Sequence, residues 1–186
     1  MSIIDEIVDY KENEENIKHW TALKGEFRYG RIIDFMKKNN VPRAWKNVTN
    51  YVKYDKRILI NTFKYIVFLE EYYKSMIYKY KRVNADKLIE MQFRPTVNMY
   101  LSIGKKANFD KMNLSLLKNN KETVIQLRNS VVHNKILLDG TFDKNDLKTG
   151  LNFLEKILPE SYREGFKKDI NSCTKGLVEE YWHIEL

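Results

Sequence analysis

The chain has 186 residues, 43% of them hydrophobic and 31% charged, with seven glycines, three prolines and a net charge of +8. That is enough for one domain with a buried core, and too few breakers for a fold built from many turns. One cysteine excludes an internal disulfide, and the longest apolar run, residues 65–69, is far short of a membrane span. The acidic start lacks the pattern of a signal peptide, so a cytoplasmic protein with no membrane partner is expected. Residues 1–20 hold six acids against two lysines, which leaves the rest of the chain at +12. A basic body of this kind favours encounter with a polyanion.

In chain order, the spacing predicts a first helix over residues 2–23, with Ser2 as its cap and its apolar side chains (Ile3, Ile4, Ile7, Val8) gathered at the start. Gly25 and Gly30 bracket a turn, a short helix follows over 31–38, and Pro42 opens another through about Lys53. Asp55 is placed to cap the longest helix, 56–81, whose apolar residues cover too wide an arc for a surface helix. Glu70 falls on that apolar side. Either the buried face rotates there, or Glu70 meets a cation inside the bundle. Residues 84–94 form a further helix stopped by Pro95, continuing over 96–103 after a kink, and 104–113 is a basic loop. Asp143 caps a helix to about Leu158, Pro159 ends it, and 160–186 is a helix pair or one interrupted helix. With no repeat and no linker, residues 1–186 make a single all-α domain.

The stretch that organises the chain is residues 121–138, free of Gly and Pro and read as one helix. Val124, Leu127 and Val131 lie on one side of its apolar arc, and Ile125, Val132 and Ile136 on the other, with Arg128 between them. A polar stripe of Glu122, Gln126, Asn129 and His133 runs alongside. A guanidinium stays charged inside a protein, so Arg128 needs a carboxylate, a phosphate or a partner chain.

The residue inventory removes most chemistries. Three histidines (His19, His133, His183) and Cys173 contain no pair at metal-ligand spacing, so neither a metal nor a cofactor is expected. No Gly-rich phosphate loop or serine-hydrolase signature is present. What survives is Arg128 with His133. An imidazole moves protons near neutral pH, Asn129 one turn before it can orient the ring, and a guanidinium stabilises charge growing on a phosphate. Those are parts for cutting RNA through its own 2′-hydroxyl. Five helical residues place the pair roughly 140° apart around the axis, which converges poorly on one phosphate. Two copies facing across a two-fold axis would supply two such pairs to one cleft, so a homodimer is expected.

The run Arg128-Asn129-Ser130-Val131-Val132-His133 resembles the R-x4–6-H motif of HEPN domains, and YDKRILINTFKYIVFLEEYYKSMIYKY (54–80) resembles the segment that precedes it in abortive-infection HEPN proteins. Both ends of the chain lie outside the resemblance. It implies an up-and-down helical bundle with added N- and C-terminal helices, dimerising into a metal-independent endoribonuclease that leaves a 2′,3′-cyclic phosphate. It also implies a role as a toxin or in phage defence. By position, Arg128 and His133 would be catalytic and Asn129 would position His133. Glu70, Glu122 and Gln126 are candidates to support them from behind. Asn134 and Lys135 are candidates to hold RNA, with Lys105 and Lys106 if their loop folds nearby; the alternative for the lysines is that they only solubilise the chain. In toxins silenced by adenylylation a tyrosine follows the histidine by two residues, but here that residue is Lys135. That form of antitoxin control is disfavoured, and another antitoxin or regulatory protein is left open. The other reading is a non-catalytic helical module that binds RNA or protein.

Overall fold

The computed structural model describes residues 6–105, 107, 109, 111–139 and 146–186. Among them are nine α-helices and no strand: α1 (Tyr10–Lys24), α2 (Glu26–Lys38), α3 (Trp45–Lys81), α4 (Ala85–Ile89), α5 (Phe93–Gly104), α6 (Lys111–Asn119), α7 (Lys121–Val132), α8 (Leu147–Ile157) and α9 (Glu160–Asn171). The expected all-α bundle is what forms. Helix α3 is its axis, with α2, α5, α7 and α9 packed around it, while α8 packs against α6, α7 and α9. Its 37 residues extend roughly 55 Å.

Local chemistry explains the departures from the expected elements. Helix α3 begins at Trp45 and runs through Asp55 without a break. No Gly or Pro interrupts residues 45–81, so nothing stops the helix there. Asp55 is therefore no cap; it is buried in mid-helix. The cap it was expected to supply comes from Asp9, whose Oδ1 accepts the Trp45 N–H at 2.7 Å. Glu6 pairs with Lys37 and with Arg43 at the same corner. These acids thus pack on the base of α3, and α1 begins only at Tyr10. Ser2, Asp143 and Lys106 lie outside the described residues.

The expected helix over 84–94 is instead two. Asn84 caps α4 by accepting from the Lys87 N–H, and α4 ends at Ile89. Pro95 then sits in the first turn of α5, where its missing N–H breaks no intrahelical bond. Asp146 caps α8 by accepting the Thr149 N–H at 2.7 Å. Beyond α9 the chain is not a second helix. After a short 3₁₀ turn it lies along α3, where Tyr51 Oη donates to the Trp182 carbonyl (2.6 Å) and Tyr54 Oη accepts from the Ile184 N–H (2.9 Å).

Candidate active site at the end of α7

Helices α3 and α7 run antiparallel: Glu70 late in α3 meets Arg128, and Asp55 earlier in α3 meets Leu137. Helix α7 buries Thr123, Val124, Ile125, Leu127, Ser130 and Val131. The expected helix through 138 stops at Val132. His133 is the C-cap, Asn134 adopts a left-handed backbone (φ 52°), and the two closing bonds are Asn134 N–H to Val131 O (3.2 Å) and Lys135 N–H to Ser130 O (2.9 Å). This is a Schellman closure with Asn in the position usually taken by Gly. It turns Ile136, Leu137 and Leu138 into the core.

Asp55 anchors that turn. Its Oδ1 accepts from the Leu137 N–H (2.7 Å) and the Leu138 N–H (3.0 Å), and its Oδ2 lies 3.7 Å from Arg28 Nη1. Arg28 also donates to the Asn134 carbonyl (2.8 Å), and Lys56 to Asn134 Oδ1 (2.8 Å). Burial pushes the Asp55 carboxyl up from 3.8 to about 6, against the pull of the two N–H donors and Arg28. The fold therefore holds this proton more tightly than the unfolded chain does. The group's contribution to stability is greatest below 3.8, falls as pH rises towards about 6, and stays lost above that. Urea melts from pH 4 to pH 7 are expected to show a decline of roughly 2 kcal/mol that Asp55→Asn removes.

Arg128 is not fully buried. Its side chain is 26% exposed, with Nη2 3.8 Å from Glu70 Oε2. Glu70 gives its closer contact, 3.0 Å, to Lys74. The Arg128 guanidinium lies 5.9 Å from the Phe93 ring centroid, Nη1 is 3.5 Å from Asn129 Oδ1, and Nε is buried without a partner. Of the three partners open to this cation, a carboxylate is thus present but loosely applied. An ion pair this long and partly solvated contributes under about 1 kcal/mol. Glu70→Gln is expected to shift the melting temperature by less than about 3 °C, measured by circular dichroism.

The expected polar stripe faces outward: Glu122, Asn129 and His133 are exposed, and Gln126 is half-buried with Oε1 unpaired. Glu122 does not support Arg128. Arg94 holds it in a two-pronged contact at 2.6 and 2.7 Å and lowers its carboxyl below the usual range. Asn134 and Lys135 are exposed beside His133. Lys105 is exposed elsewhere: it lines a separate cleft with Lys121 at the other end of α7, roughly 18 Å of helix from His133. Comparison with protein-family models, curated proteins and solved structures gives no match.

Two features had no clear signal in the sequence. One is the clamp of Arg28, Lys56 and Asp55 on the turn after His133. The other is an apolar strip. Ile60 (55% exposed), Phe63 (43%) and Val67 (38%) share one face of α3, and Val132 on α7 is 41% exposed. Lys56 and Glu70 continue the same α3 face at both ends, and they are the residues tied to Asn134 and Arg128. The strip therefore runs beside the end of α7 that carries the motif. Among the described residues no group of three or more His, Cys, Asp and Glu could hold a metal, and no helix is long and apolar enough to cross a membrane.

Proposed function

We propose that the chain is a HEPN-type endoribonuclease that cuts RNA without a metal, in a cleft formed when two copies appose their α7 ends. The observation that carries this reading is Arg128: partly exposed, with its carboxylate no nearer than 3.8 Å, it keeps its terminal Nη donors available to a phosphate, and an exposed His133 follows five residues later. In the reaction the 2′-oxygen attacks the adjacent phosphorus and the bond to the 5′-oxygen breaks. One imidazole takes the 2′-hydroxyl proton, and a second, protonated, returns one to the leaving 5′-oxygen. The products are a 2′,3′-cyclic phosphate and a 5′-hydroxyl. Arg128 stabilises the charge that grows on the phosphate oxygens. Two imidazoles at one phosphate require two chains, and the apolar strip of Ile60, Phe63, Val67 and Val132 supplies a face for a second copy to cover. The likeness of residues 54–80 to abortive-infection proteins supports a role in phage defence or as a toxin.

The test is total RNA incubated with the purified protein in EDTA. Cleavage with cyclic-phosphate ends is expected, from a particle of twice the chain mass by light scattering. Phe63→Glu, at an exposed position, is expected to give a folded monomer that no longer cuts. No cleavage, or cleavage by a strict monomer, would overturn the reading. The second reading, a non-catalytic module, draws on the Arg128–Glu70 pair, which gives the guanidinium a partner within its own chain. It expects RNA to be bound intact.

A further inference from the structure

Asn134 borders a second cleft, of about 600 Å³, which Lys56 also lines. Five cations line it, Lys24, Arg28, Lys53, Lys56 and Arg57, and among the described residues no carboxylate does. Neutral groups hold several of them in place. Arg57 Nη1 donates to the carbonyls of Cys173 (3.2 Å) and Lys175 (2.7 Å), Lys56 to the Asn134 amide oxygen, and Lys24 Nζ sits 4.7 Å from the centre of the Trp20 ring. Arg28 has a carboxylate 3.7 Å away, the buried Asp55 beneath the floor. Positive charges fixed together in a concave wall focus the field into it, and an anion relieves their mutual repulsion. Leu23 and Val52 complete the lining, an apolar ledge beside the charge.

We propose that this cleft is a binding site for a ligand with two or more phosphate groups, whose phosphates meet Lys53, Lys56 and Arg57 and whose flat apolar part rests on Leu23 and Val52. A nucleoside triphosphate fits both the volume and the division between charge and apolar wall. The phosphates of an RNA strand carry the same chemistry. The site also borders the proposed active centre: Arg28 and Lys56 hold Asn134, and a bound phosphate competes for Lys56. Filling the cleft therefore changes the restraint on the residue next to His133.

The site is tested by binding alone, so its failure and the failure of the ribonuclease reading are separate results. ATP, tripolyphosphate, adenosine and a 2′-deoxy oligonucleotide are titrated into the full chain, read by calorimetry and by tryptophan fluorescence, since Trp20 contacts Lys24. The expected result is saturable binding of a phosphate-bearing ligand. The double variant Lys53→Glu, Lys56→Glu weakens it about 100-fold, and Lys148→Glu, an exposed change of equal charge on α8, leaves it intact. Binding of ATP and tripolyphosphate assigns a free ligand; binding of the oligonucleotide alone assigns a strand. Absence of saturable binding by every phosphate ligand, equal loss in Lys148→Glu, or adenosine binding as well as ATP would overturn the proposal. The substituted lysines are exposed, and circular dichroism checks that each variant is folded.

Discussion

Replacing His133 with alanine is expected to slow RNA cleavage by about 100- to 10,000-fold, the range over which a positioned acid or base contributes. Arg128→Ala is expected to cost about 100- to 1,000-fold, through loss of charge stabilisation on the phosphate. The His133 variant should fold normally. Its ring is exposed, and its tie to the helix is its backbone N–H to the Asn129 carbonyl at 3.0 Å, which alanine keeps. Arg128→Lys separates charge from geometry: it keeps the cation but cannot present two parallel donors, so partial activity is expected. Assays run in EDTA on dimers confirmed by light scattering. Wild-type rates in His133→Ala would sink the catalytic reading, whatever Arg128→Ala does.

The largest effect on stability is expected at Asp55. Alanine there leaves the Leu137 and Leu138 N–H groups buried and unpaired, a loss of about 2–5 kcal/mol at pH 7. For a chain of this length that lowers the melting temperature by about 10 °C. Asp55→Asn keeps an oxygen where both N–H groups point, so it should cost less than about 1 kcal/mol. Amide exchange at Leu137 and Leu138 should speed up in the alanine variant before the rest of the core opens. Equal melting of the two variants would show that the carboxyl oxygen does not hold the turn.

The contrast between Asp55 and Glu70 shows what the sequence can convey. Both are acids in one long helix. Glu70 stands out because Ile66, Val67 and Tyr73, three and four residues away, are apolar, and a cation inside the bundle was one of the two explanations that local anomaly allowed; the structure places Arg128 there. Asp55 precedes a long apolar-periodic run, which is also how a cap looks. Its actual partners lie more than 80 residues along the chain, and no local pattern encodes them. The all-α architecture was legible from few breakers and helical spacing. The stop at Val132 was not, because Asn134 is an acceptable helical residue and its left-handed backbone is selected by the burial of Ile136 to Leu138. Arg28 gave no signal at all: it is one basic residue among 33, and only the fold brings it to Asn134.

The histidine of the motif is the C-cap, just past the last helical residue, at the point where the backbone unwinds. One residue inserted between the two members of the pair would swing the second by about 100°. Here residues 129–132 all belong to α7, so the spacing of the pair is set by the helix, while the turn at Asn134 governs only the chain that leaves it. Residues added beyond Asn134 would therefore lengthen the exit without moving the imidazole relative to Arg128.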